Sequence, residues 1–260
     1  MVQVLDRVFA ILEAIADSES GLKAAEVAKA VDLPWATSCR LLDDLEGKGL
    51  LLRGADNRYR MGLKMWEFGS AAVRSLGLND AARPAMEELS ATTGEAVNLG
   101  VLAGDAIVYL DKIESRQAVR VYAPAEWRAP LHCVALGKVL LAYRPKREIE
   151  RCLPRVLKKH TPRTIDNRYA ILEELDRVRD LGYATNREEW HAEICGVACP
   201  IRDQDGEVIA GFGVSIPISR FTDQRIAYLV ENLKKAAEKT TNALMDRGID
   251  VDIGQGIDAA

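Results

Sequence analysis

His132 and Cys133 stand side by side, and an imidazole next to a thiol can lower the thiol pKa and make a nucleophile. Neighbours on a strand point to opposite faces, however, so an extended reading predicts a pocket-lining or core Cys133 and no dyad. Cys195 and Cys199, taken with His132, His160 and His191, supply zinc-type ligands. On one strand the two cysteines would lie about 13 Å apart, too far to share an ion; a loop there would lift that objection. The reading is therefore no metal and no cofactor. Glu188, Glu189 and Glu193 form an acidic run, but no nucleophile or cofactor motif accompanies them, so they are expected on a solvated or interface face. Gly211-Phe212-Gly213 sits inside a strand pattern, where glycine marks a bulge or a close approach rather than a nucleotide loop. No catalytic residue is assigned.

A different chemistry is written near the N-terminus. Residues 34–48 read as a helix whose inner face carries Ser38, Leu41, Leu42 and Leu45 and whose outer face carries Ala36, Thr37, Arg40 and Asp44. Small residues at its start permit close approach to a duplex, and Thr37 and Arg40 can bond base edges or phosphates. Trp35 either reaches sugar and phosphate or packs on the preceding turn. Beyond it, Arg58 and Arg60, two apart, project to one side of a strand, with Arg53 on the strand before, as a phosphate clamp would require. Residues 1–62 hold eight Lys/Arg against ten Asp/Glu, so any nucleic-acid surface is local. The rival reading, ordinary solvated charges on a protein-binding module, stays open on pattern alone.

The elements that must position these residues follow from periodicity. Leu5, Val8, Phe9, Leu12, Ile15 and Ala16 mark one helix face; residues 22–31 form a second, Ala-rich helix; Pro34 opens the third and Gly49 closes it. Residues 50–53 and 58–61 flank the turn-forming tip 54–57. Helix, helix, turn, helix and hairpin is the order of a winged helix-turn-helix. Residues 63–76 form a further helix, apolar on more than one face, which expects cover at an interface. Thereafter helix is expected over 79–92, over 135–143 (ALGKVLLAY, within 131–143), over 167–181 and over 222–245, and strand over 96–102, 106–112, 119–122, 196–202 and 207–216. The Gly- and Asp-rich tail reads as disordered.

Composition limits the classes. Of 260 residues 48% are hydrophobic and 28% charged, which is globular rather than disordered. The net charge of −4 announces no general polyanion affinity. No apolar run approaches the ~20 residues of a membrane span, and residues 1–7 lack the pattern of a secretory signal. Five cysteines without a CxxC pair read as reduced thiols in a cytoplasmic protein.

These segments, taken together, resemble the IclR family of bacterial transcriptional regulators over nearly the whole chain. LDRVFAILEAIA (5–16) resembles the family's first helix, LKAAEVAKAVDLPWATSCRLLDDLEGKGLL (22–51) its helix-turn-helix, and NRYRMGLKMWEFG (57–69) its wing and the start of its linker. PLHCVALGKVLLAY (130–143) resembles one signature of the second domain, and GYATNREEW followed by GVACPIRDQDGEVIAGFGVSIPISRF (196–221) another.

The resemblance implies an α+β fold: a winged helix-turn-helix over 1–62, a linker helix over 63–77, a GAF-like α/β effector-binding domain over 78–246, and a tail from 247. It implies binding of double-stranded operator DNA as a dimer or dimer of dimers. It also implies a small-molecule effector held between the HCVALGK segment and a sheet, with N–H groups around Val134 and Ala135 receiving an anionic group. Family contact positions fall on Asn186, Gly196 and Ser215; the family often has an acidic residue where Asn186 stands. Some members have Cys where Gly196 stands, beside Cys195, and Ser where Gly213 stands. That less polar lining points to a larger, aromatic carboxylate. A small-molecule-modifying enzyme, or a ligand-binding scaffold with a protein-docking winged helix, is the alternative.

Overall fold

A computed structural model describes residues 3–121 and 128–251, and the chain falls into two compact units, Met1–Ser75 and Leu76–Ala260. The first contains α1 (Gln3–Ala16), β1 (Leu22–Lys23), α2 (Ala24–Ala30), α3 (Trp35–Gly47), β2 (Leu51–Arg53), β3 (Arg58–Met61) and α4 (Leu63–Ser75). Ile11, Leu12 and Ile15 of α1 meet Val27 of α2, Leu42 and Leu45 of α3, Leu51 of β2 and Tyr59 of β3 in one core. Each comes from the apolar stripe of its helix or the inward side of its strand. Gly49, at φ +73°, ends α3. Its N–H reaches the Glu46 carbonyl at 2.9 Å and the Leu50 N–H reaches that of Leu45 at 3.0 Å, a paired closure that requires the left-handed conformation glycine tolerates.

The expected winged helix-turn-helix is present, with one correction. Leu22 and Lys23 are a strand rather than the start of the second helix, and they pair with Tyr59 and Arg58. The wing is therefore three-stranded, in the order β1-β3-β2. Two residues are too few to show alternation, and Leu22 fits either reading. In α4 no residue is buried: Leu63 is 84% and Trp66 73% exposed.

The second unit runs α5 (Leu78–Thr93), β4 (Ala96–Ala103), β5 (Ala106–Ile113), β6 (Arg128–Pro130), α6 (Ala135–Ala142), α7 (Lys146–Cys152), α8 (Arg168–Leu181), β7 (Ala184–Arg187), β8 (Ile194–Arg202), β9 (Val208–Pro217) and α9 (Asp223–Asp246). Its sheet is antiparallel in the order β6-β5-β4-β9-β8-β7. Val97, Leu99, Phe212 and Val214 pack with Leu78, Met86, Leu229 and Leu233 of α5 and α9. On the opposite side Ala198 and Ile107 join Val139 and Leu140 of α6 and Ile171 and Leu175 of α8. Helices thus cover both faces, as a GAF-like α/β fold demands.

Four further expectations are corrected. Residues 131–134 form a turn, so His132 and Cys133 are not on the strand that the extended reading supposed, whereas the helix expected over 135–143 is present as α6. No strand forms over 119–121; Tyr122 lies outside the described residues. The tail is not without packing: Val251 is buried and Ile249 packs beside it, while 252–260 lie outside the described residues. Finally, β6, α7 and β7 were not anticipated. Among the described residues no helix is long and apolar enough to cross a membrane.

Candidate functional site

At the N-terminus of α3 the core-facing Ser38, Leu42 and Leu45 are buried. Trp35 (57% exposed), Ala36 and Arg40 face solvent, and Thr37 is half-buried. The helix has no acidic residue in its first turn, which leaves its positive dipole end uncompensated toward an anion. The wing arginines are more engaged. Arg58 Nη1 donates to the Gly21 carbonyl at 2.8 Å and to Glu26 at 2.9 Å, tying β3 to the start of α2. Arg60 grips Asp56 at 2.6 and 3.1 Å; that hydrogen bonding holds the Asp56 carboxyl well below the usual carboxylate range. Arg53 donates to Asn57 at 2.8 Å and lies over the Tyr59 ring.

The second unit encloses a cavity of about 360 Å³ between α6 and the sheet, within the size range of small-molecule sites. Val134, Ala135, Asn186, Cys195, Gly196, Gly213 and Ser215 all border it. They come from the start of α6, from β7 and from the adjacent β8 and β9. Register explains the meeting: Asn186 pairs with Gly196, and Gly196 with Ser215. Cys195 belongs with Val197, Cys199 and Ile201 to the core beneath α5 and α9, so its side chain lies on the face away from Gly196. Gly213 has a packing reason, for a Cβ there would stand 2.9 Å from Leu136 Cδ1. Gly137 is stricter still: its Cβ would meet the Leu131 carbonyl at 2.3 Å, so α6 can lie on its own approach turn only with glycine at that position.

Other lining residues escaped the sequence reading: Asn98, Tyr109, Lys112, Trp190 and His191. Asn98 Nδ2 donates to Ser215 Oγ at 3.2 Å. Trp190 and His191 lie with ring centroids 4.4 Å apart, and His191 Nε2 is buried with no hydrogen-bond partner among the described residues. Lys112 is paired with Glu114 at 2.7 Å. Apolar and aromatic walls, with the first N–H groups of α6 at one end, suit an amphipathic anion.

Behind the cavity lies a buried ion pair. Lys138 is 1% exposed. Its ammonium touches both Glu189 oxygens, at 2.8 and 2.9 Å, and stands 3.5 Å from Glu174. Burial raises the Glu174 carboxyl, but Arg177 and Lys138 outweigh it and the net direction is down. Glu189 is thus not the solvated residue expected of the acidic run; its N–H donates to Asn186 Oδ1 at 2.8 Å, linking the pair to the cavity wall. Glu188 instead meets Arg163 at 2.9 Å. Burial pushes the Cys133 thiol up to about 12, the opposite of an activated nucleophile. Cys195 and Cys199 share β8, so strand spacing separates them; His132, Cys133 and His160 instead cluster.

Comparison with known proteins follows the same division. Residues 4–54 match the IclR helix-turn-helix domain, and residues 70–242 match the C-terminal domain of the bacterial transcriptional regulator IclR. The chain is 37% identical to the HTH-type transcriptional regulator KdgR of Escherichia coli strain K12 over 235 residues, 90% of this chain and 89% of that protein. It is similar to the crystal structure of Thermotoga maritima IclR, with a TM-score of 0.70 and 32% identity over 94% of this chain and 99% of that one. An IclR homologue from Microbacterium hydrocarbonoxydans, complexed with 4-hydroxybenzoate, superposes with a TM-score of 0.80 at 27% identity, over 93% and 99% of the two chains.

Proposed function

The chain belongs to the IclR family of bacterial transcriptional regulators and is a ligand-responsive transcription regulator rather than an enzyme; from that premise we propose how its parts divide the work. Residues 1–62 bind duplex DNA, 63–77 link, and 78–246 sense the effector. Trp35, Ala36, Thr37 and Arg40 enter the major groove, where Arg40 reads a base edge. Arg53, Arg58 and Arg60 brace the wing on phosphates, Arg60 exchanging Asp56 for the backbone. The exposed apolar faces of α1 and α4, including Phe9, Trp66 and Phe68, are covered by a second copy, and the dimer or dimer of dimers reads half-sites about 10 bp apart or multiples of that. The protein works in the cytoplasm.

The effector is a carboxylate with an aromatic body. Its anionic group meets the N–H groups after Val134, its ring lies against Tyr109 and Trp190, and Asn98, Asn186 and Ser215 fix its polar substituents. The observation that carries this reading is the meeting of all seven expected residues around one cavity. Regulation requires that the effector bind one DNA-binding state more tightly than another. Site selection from a random duplex library, repeated with 4-hydroxybenzoate and other aromatic carboxylates, tests it. Enrichment of an inverted repeat whose affinity shifts with an aromatic acid supports the proposal. No enrichment under any condition overturns the operator reading; enrichment indifferent to every aromatic acid overturns the effector class.

A further inference from the structure

The cluster that this function leaves unused lies just ahead of α6. His132 and Cys133 occupy the turn before the helix, and His160 lies in the segment between α7 and α8. One ring nitrogen of each histidine and the Cys133 sulfur all lie within 4.8 Å of one another. Ligand atoms sharing a tetrahedral zinc stand roughly 3.5 Å apart, as Zn–N and Zn–S lengths require. Adjustments on the order of 1 Å therefore bring this set to coordination distance.

The surroundings are organised for the task. His132 Nε2 bonds the Lys158 carbonyl at 2.9 Å. A carbonyl only accepts, so Nε2 carries the proton and Nδ1 keeps a lone pair for a ligand; metal-bound imidazoles hold their other N–H in this way. The segment carrying His160 is pinned by the buried Thr164, whose hydroxyl accepts from the N–H groups of His160 and Thr161 at 3.0 and 2.9 Å and donates to the Glu189 carbonyl at 2.6 Å. His132 and Cys133 are themselves buried. Two imidazoles and a thiolate select zinc-class ions over magnesium or calcium.

We propose that His132, Cys133 and His160 form a three-ligand site for a zinc-class divalent transition metal, with water in the fourth position. Binding exchanges the Cys133 S–H bond for a metal–sulfur bond and releases the proton to solvent. Because Val134 and Ala135 follow directly and border the cavity, the ion anchors the helix end that the cavity presents to its ligand.

The test uses the full chain, stripped with a chelator and titrated with Co(II). The expected result is a sulfur-to-cobalt charge-transfer band that saturates at one equivalent and is displaced by zinc. Cys133→Ser and His160→Ala should each lose the band, while Cys39→Ser keeps it. If the buried Cys133→Ser variant fails to fold, as judged by circular dichroism, His160→Ala decides. Absence of the band in the unaltered protein, or its persistence in folded His160→Ala, overturns the site.

Discussion

Replacing Lys138 with Met removes the only cation within salt-bridge distance of Glu189 among the described residues, and the consequence can be worked out. Glu189 would remain buried with a single backbone donor, the Arg187 N–H at 3.3 Å. Glu174 keeps Arg177 at 2.7 and 2.8 Å, so the uncompensated charge is that of Glu189 alone. Breaking a buried pair from one side costs about 3–5 kcal/mol, which for a unit of this size lowers the thermal midpoint by roughly 6–20 °C. The double variant Lys138→Met/Glu189→Gln removes the charge as well, and should recover at least half the loss, because an intact buried pair contributes little net stability. Calorimetry should assign the shift to the second unit's transition, with denaturant slopes unchanged. A single-variant cost under about 1 kcal/mol, or a double variant whose losses simply add, would refute the reasoning.

Three other outcomes are expected. Arg40→Ala should weaken operator binding by about 1–3 kcal/mol and relax preference at one base position; unchanged affinity in a gel-shift titration removes Arg40 from the reading surface. Ser215→Val deletes the hydroxyl that accepts from Asn98 and should abolish the effector's influence while operator affinity stays intact; a normal effector response in that variant contradicts the cavity assignment. Burial raises the Cys195 and Cys199 thiols from an ordinary 9.0 to about 11 and 12. Their folded pKa values exceed the unfolded ones, so their contribution is complete below pH 9 and lost as pH climbs through 11 to 12. The urea midpoint should therefore fall between pH 9 and 11, and a flat profile contradicts the burial of these groups.

How much could be read in advance depended on the distance over which each signal acts. Helices α1, α3 and α9 were legible because their apolar stripes recur within a turn, and the wing because residues 54–57 can hardly be anything but a turn. Strands β1, β6 and β7 have two to four residues, too few to display a period. The start of α6 at Ala135 was legible in the run ALGKVLLAY, whereas the four residues before it are too short a piece to show whether they form strand or turn. The seven cavity residues came from a family likeness. Asn98, Tyr109 and Lys112 were missed since only the pairing of β4 with β5 and β9 turns them toward α6. Glu189 reads as solvated until Lys138, 51 positions away, arrives beside it. The His132–Cys133–His160 cluster was hidden by treating as a strand what is a turn.

The hydrogen bond between Asn98 and Ser215 spans 117 positions, and that span sets an order of events in the cell. Synthesis delivers the helix-turn-helix long before β8 and β9 emerge, and strand pairings this remote form more slowly than local helices. A chain truncated before β9 retains every residue of Met1–Ser75 and lacks the Ser215 wall. On the proposed division of work, such a fragment would keep the DNA-binding residues and lose the effector's control. On the proposed function, an effector that binds only completed chains would add to their folding stability by mass action, a gain that a chain without the Ser215 wall would not share.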